Sequence, residues 1–271
     1  MSAASDAVPG HDGRAPRRLA FRPNWPARLG WLLLGVYVVY AASRLGFVPE
    51  RVAAGLVHGQ RFLARMFPPN FGRWEVIQSG LVESVHIAVI ATAAGIAIAL
   101  PVGFLAARNL MPAYVSWPAR LVIALCRSFH PIIVAILFVK AIGFGALAGI
   151  LALVVASVGF IAKLYAEAVE EISLKQVEAV RATGAGFPAV LIIGVVPQVL
   201  ARFIGFSTYQ LDSNLRNSTM VGIVGGGGIG DTLFTAYQRF DFDVVLAILI
   251  AIVALIMAAE IVSGLVRRVF Q

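Results

Sequence analysis

Residues 81–107 read LVESVHIAVIATAAGIAIALPVGFLAA, and no residue from Ile87 to Ala107 is charged. About twenty such residues in a helix cross the hydrocarbon core of a bilayer. In that medium only helices or closed barrels satisfy every backbone group. The pattern recurs. Apolar runs fall at roughly 30–48, 80–107, 117–140, 144–166, 190–211 and 243–266. They predict an all-α integral membrane protein, a bundle of about six transmembrane helices. Five spans with a peripheral first helix fit the same pattern. Charged residues are only 13% of the 271, against about 25% in a soluble domain. No stretch between the runs is long enough for a sizeable soluble core.

The formal charge is +8. In an apolar chain this points to cytoplasmic loops rather than nucleic acid, because inner loops collect Arg and Lys. Residues 1–28 read as a basic cytoplasmic tail with Arg14, Arg17, Arg18, Arg22 and Arg28. The run after it is too long for a signal-peptide core and lacks a clear cleavage site. With the N-terminus inside, six spans put the C-terminus inside too. Arg108, Arg120, Lys163, Lys175, Arg181, Arg267 and Arg268 then fall at inner ends. Arg51, Arg61, Arg65 and Arg73 fall in the outer loop 49–79, which reads as an amphipathic helix in the interface, ended by Pro68-Pro69. The chain thus divides into the tail 1–28, a first span with interfacial helix over 29–75, and a helical core over 76–271. The lone Cys126 excludes an intrachain disulfide and a cysteine metal cluster.

Between two apolar runs lies EISLKQVEAVRATGAGFP, residues 171–188. Ser173 followed by Gln176 has capping-box spacing, a helix over 174–183 follows, and Gly184 suits the left-handed position that ends it. Glu178 and Arg181 share one face. Phe187 sits on a turn beside Gly186 and Pro188. The result is a short charged helix and an aromatic knob, either an ordinary polar loop or a shape that fits a partner's groove.

Further on, Gly225, Gly226, Gly227 and Gly228 precede Ile229-Gly230. A phosphate loop needs Lys and Ser/Thr after the last glycine, and Asp231 and Thr232 stand there instead. Glycine here permits irregular backbone at membrane depth, tolerated only against protein or a water-filled cavity. A re-entrant loop is expected. Asp241 and Asp243 fit a helix N-terminus, where negative charge is favoured, better than a metal pair. His130 before Pro131 reads as a structural polar residue. No catalytic set appears and no metal site is expected.

The pattern E-A-V-x3-G-x9-G-V-V-P, from Glu178 to Pro197, resembles the EAA loop of binding-protein-dependent ABC importer permeases of the type I fold. Glu178, Ala179, Gly184 and Pro197 match in register. Val180, Gly194 and Val196 replace Ala, Ile and Leu. CRSFHPIIVAILF is similar to the family's F-R-S-x-P segment. YQLDSNLRNSTMVGIVGGGGIG is similar to the glycine block of phosphonate-type permeases. The resemblance covers roughly 75–270. It implies that Glu178, Ala179, Arg181, Gly184 and Phe187 form a cytoplasmic coupling helix docking on a separate ABC ATPase dimer, which carries the ATP and Mg. An extracytoplasmic substrate-binding protein and a second copy of this chain are the other implied partners, in a bacterial plasma membrane. The core over 76–271 becomes the permease core.

An arginine attracts a phosphonate or phosphate oxyanion. Asn214, Arg216, Asn217, Ser218, Thr219 and Gly225 to Gly228 are therefore candidates for the translocation path, with Arg216 alternatively paired to Asp212 or Asp231. Glu83, Ser84 and His86 are candidates for the cavity, although Glu83 repels an anion and suits a structural partnership with an arginine. The expected function is transport of phosphonate, phosphite or phosphate with no chemistry in this chain. The alternative is an ion-coupled secondary transporter or channel for a small anion, whose signature is acidic or histidine pairs in mid-span. Glu83, His86, Arg127 and Glu260 all fall near span ends.

Overall fold

A computed structural model describes residues 25–46 and 49–270. The expected tail over 1–28 lies, up to residue 24, outside the described residues, as does the side chain of Arg267. Two compact units divide the chain between Phe62 and Leu63. The first holds α1 (Trp25–Arg44), apolar and without a buried side chain, and most of α2 (Pro49–Met66). Helix α2 is the expected amphipathic helix. It carries Arg51, Arg61 and Arg65 beside exposed Val52, Leu56 and Leu63, and stops before Pro68-Pro69.

The second unit contains α3 (Trp74–Ala106), α4 (Ala113–Ser128), α5 (Pro131–Ile142), α6 (Ala146–Glu170), α7 (Leu174–Ala182), α8 (Phe187–Ala189), α9 (Val196–Ile223), α10 (Ile229–Gln238) and α11 (Phe242–Phe270). A π-helical stretch, Val190–Val195, joins α8 to α9. Pro197 explains it. Proline cannot donate to the carbonyl four residues back and crowds it, and a wider turn just upstream relieves that crowding. Among the described residues, five helices are long and apolar enough to span: Trp25–Arg44, Trp74–Ala106, Ala146–Glu170, Phe187–Ile223 and Phe242–Leu265.

The run 117–140, expected as one span, is not straight. Helices α4 and α5 meet at 88°. The residue before a proline is pushed out of the helical region, and His130, before Pro131, is extended at φ −68°, ψ 141°. Phe129 is extended too. His130 then caps α5, its Nδ1 accepting the Ile132 N–H at 3.4 Å. Pro101, by contrast, does not interrupt α3.

Side-chain pairings set the packing. Gly95 lies against Ser157, and Gly103 against Ala162 and Tyr165. The Arg108 N–H reaches Glu170 Oε1 at 2.8 Å. Partners advance together along both helices, so α3 and α6 run parallel. Glycine and alanine along the seam let the backbones approach, which drives helix association in lipid. Helix α9 runs antiparallel to α6: Ser207 meets Tyr165 and Asn214 meets Ser157. The core therefore has two ends. At one, α7 closes a cluster of Ala106, Tyr165, Val169, Val177, Val195 and Phe203. At the other, Ile77, Ile229, Ala236, Val244 and Ile248 pack together.

Candidate functional site

Helix α7 is pinned by one side and open on the other. Val177 is fully buried. Gly194, in the π stretch, lies under it: a Cβ there would sit 3.4 Å from the Val177 Cα. Glu178, Ala179, Arg181, Gly184 and Phe187, the residues expected to dock, are all exposed. Glu178 and Arg181 make no ion pair among the described residues. Gly184 adopts φ 76°, the left-handed cap expected there, and its N–H reaches the Arg181 carbonyl at 3.0 Å.

The capping box does not form. Ser173 is the N-cap but its side chain makes no cap hydrogen bond. Gln198 takes the role instead, from α9. Its Oε1 accepts the Ser173 N–H at 3.0 Å, and its Nε2 donates to the carbonyls of Gly194 at 2.6 Å and Ser173 at 3.4 Å. Arg202 pairs with Glu171 just before α7. Sequence spacing favoured Gln176 because it is near. Nothing local signals a residue twenty-five positions away.

Helix α9 separates its polar residues between two faces. On the inner face Gln210 and Asn214 are buried. Asn214 Nδ2 donates to Thr92 Oγ1 and Ser157 Oγ, each at 2.9 Å. Gln210 Nε2 donates to Asn214 Oδ1 and Ser157 Oγ, each at 3.0 Å. The network ties α3, α6 and α9 together. Ser218 is buried as well and donates to the Leu215 carbonyl at 2.7 Å. Asn214 and Ser218, expected in the path, thus spend their hydrogen bonds inside the chain. A polar run does not reveal which of its members the neighbouring helices cover.

On the outer face lie Arg216, exposed, with half-buried Ser213, Asn217 and Thr219. Arg216 pairs with Asp212 Oδ2 at 3.2 Å, so the local ion pair forms, and with Asp212 rather than Asp231. The Asp212 Oδ1 is buried without a hydrogen-bond partner among the described residues.

The glycine segment forms a tight turn, 224–228, from α9 into α10. Gly225, Gly227 and Gly228 have φ 92°, 77° and 77°, a region that side chains with a Cβ avoid. Gly226, Gly227 and Gly228 are buried. The Gly145 N–H donates to the Gly225 carbonyl at 2.9 Å. The Ile229 N–H donates to Ser84 Oγ at 2.9 Å. Ser84, expected to face a cavity, is therefore a buried anchor for this turn. Glu83 and His86 are exposed, and with Glu75 and Gln78 they line a groove along α3. Glu83 makes no ion pair with an arginine among the described residues. Its Oε1 would meet a Cβ at Gly227.

Asp241 and Asp243 hold the approach to α3. Arg73 pairs with Asp241 at 3.1 Å, and Asn70 Nδ2 donates to Asp243 Oδ2 at 2.9 Å. Among the described residues no group of three or more His, Cys, Asp or Glu is placed to hold a metal ion.

A bundle with a tethered polar helix at one end and a buried glycine turn at the other fits a transport subunit. Residues 99–271 match the family described as binding-protein-dependent transport system inner membrane component. The chain belongs to that family. This permease is similar to the phosphate-import permease protein PhnE of Mycolicibacterium smegmatis, at 45% identity over 75% of this chain and 38% of the relative. It thus spans well under half of that protein's length. It is also similar to the phosphite transport system permease protein PtxC of Stutzerimonas stutzeri, at 35% identity over 93% of this chain and 92% of the relative. Its fold resembles a solved structure of the MetNI methionine ABC transporter in an inward-facing conformation. That match has TM-score 0.65 and 25% identity, and covers 74% of this chain and 99% of that one. The architecture is that of a type I ABC importer permease, a multi-pass inner-membrane protein.

Proposed function

We propose that this permease forms the path for a tetrahedral phosphorus oxyanion, phosphonate, phosphite or phosphate, in an importer driven by a separate ATPase. The observation that carries the reading is the outer face of α9. A helix long and apolar enough to span exposes Arg216 away from its own bundle, with Ser213 and Asn217 half-buried beside it. Such groups are costly in lipid and belong against protein or water. A second copy of the chain would bring two such faces around one path. The relatives named for phosphate and phosphite give the ligand class, and a guanidinium suits those oxygens.

At the other end, α7 supplies the lever. Its buried Val177 and the Gln198 contacts fix it to α9, while Glu178, Arg181 and Phe187 are free for an ATPase dimer on the cytoplasmic side. ATP and Mg belong to that partner, and cargo comes from an extracytoplasmic binding protein. Both termini lie in the cytoplasm. Closure of the ATPase on ATP moves the two α7 helices, and through Gln198 the α9 helices that line the path.

The test is uptake of phosphonate, phosphite and phosphate into proteoliposomes holding the chain, its ATPase and its binding protein. ATP-dependent uptake of at least one, reduced tenfold or more in Arg216→Ala with assembly intact, is the expected result. Uptake by the chain alone under an ion gradient would overturn the ATPase-driven reading. Unchanged kinetics in Arg216→Ala would remove that residue from the path.

A further inference from the structure

We infer a second oxyanion site in this chain, a basic cavity between α4 and α6 at the α7 end of the bundle, apart from the α9 face. The inference takes its ligand class, and the cytoplasmic placement of this end, from the proposed function. The cavity measures about 440 Å³ and is lined by Arg120, Arg127, Ser128, Lys163 and Glu167. A water occupies about 30 Å³ of liquid volume, so a tetrahedral oxyanion fits there with part of its hydration shell.

The charges are arranged by antiparallel packing. Arg120 lies toward the end of α6, donating from Nε to the Ala106 carbonyl at 3.0 Å and pairing with Glu170. Arg127, two turns on, crosses Gly159. A Cβ at Gly159 would lie 2.8 Å from the Arg127 Cγ and 2.9 Å from the Cys126 Cβ. Glycine lets α4 press onto α6 here, which fixes the stem of Arg127. Lys163 stands one turn along α6 from Gly159, on the same face. Lys163 pairs with Glu167 at 3.4 Å.

Each cation but one therefore has an acid. Arg127 makes no ion pair among the described residues, although its backbone is held against a neighbouring helix inside a span. A guanidinium in a half-enclosed cavity, beside an ammonium, recognises an anion with several oxygens; the Ser128 hydroxyl donates to the Ala124 carbonyl at 2.8 Å and takes no part. The anion can be free phosphate or phosphonate on the cytoplasmic side, or the phosphate of a lipid headgroup.

The experiment uses the full chain with its ATPase in phosphatidylcholine nanodiscs, without binding protein, and radiolabelled inorganic phosphate as the probe. Saturable binding is expected, weakened about tenfold in Arg127→Gln and in Lys163→Gln. Glu167→Gln, which removes the acid beside Lys163, should tighten it. That opposite sign cannot come from misfolding. In a second arm, nanodiscs contain phosphatidylglycerol. If the wild type retains this lipid through detergent extraction and Arg127→Gln does not, the headgroup is the source, and the oxyanion site stands. Phosphate binding and lipid retention both unaffected by the three substitutions would overturn the inference. ATP-driven uptake measured on the same proteins separates the two readings. Normal oxyanion uptake with no effect here sinks only the second site, whereas no oxyanion uptake by the wild type sinks the proposed function.

Discussion

Asn214 shows what a single residue does in this fold and how little of it is visible in sequence. It sits in SNLRNST among five other polar or charged residues, and its type suits a path as well as a core. Only the three-helix arrangement decides. Asn214 lies where α3, α6 and α9 converge and bonds to Thr92, Ser157 and Gln210, whereas Arg216, two positions on, faces away. Replacing Asn214 with Leu keeps the branched shape but leaves the other three without their shared partner. Side-chain hydrogen bonds between membrane helices average about 0.6 kcal/mol, with about 1.7 as the upper end. Three lost together should lower stability by about 2–4 kcal/mol. Reversible unfolding of the purified chain in mixed micelles should show a clear loss of stability in Asn214→Leu. A transition at the wild-type position would mean that the network does not hold the bundle.

At the scale of elements, features set by adjacent residues are legible in the sequence and those set by distant ones are not. Helix α7 runs Leu174–Ala182, within a residue of the expected 174–183, because its start and its glycine stop are written in adjacent residues. The kink at His130 is also local: Pro131 marks it, although the continuous apolar run around it has the length of one straight span. The Gln198 cap could not be found from spacing, since it depends on how α9 passes α7. The two caps make separate predictions. Gln198→Ala removes three hydrogen bonds of about 1 kcal/mol each, so amide exchange over 173–182 should quicken by tenfold or more. Gln176→Ala should leave it unchanged. Equal effects would restore the local capping box. The outward face of α7 has its own test. Glu178→Arg changes no contact within the chain, so insertion and thermal stability should match the wild type while co-purification of the ATPase falls at least tenfold. Full retention of the ATPase would refute docking through this face.

For the whole molecule, the number and order of apolar helices were legible because hydrocarbon imposes one length and one hydrogen-bonding rule on every span. The neighbour relations were not. Parallel packing of α3 on α6, with α4 and α5 carrying the chain back between them, follows from the small residues that face one another, which periodicity alone does not match into pairs. The same packing leaves the outer faces of α9 and α11 with opposite chemistry. Helix α9 exposes Arg216 and half-exposes Ser213 and Asn217, while α11 exposes Ile250, Val253 and Met257. A lipid-facing surface and a surface meant for another protein or a watery path should differ in this way. In a Cys126→Ala background, a cysteine in place of Asn217 should therefore cross-link two copies in native membranes with a short bifunctional reagent. A cysteine in place of Ile250 should not. If α7 is the proposed lever, ATP binding by the assembled transporter should change the Asn217 yield. Cross-links from the Ile250 position, with none from Asn217, would turn the bundle around and place the path on α11.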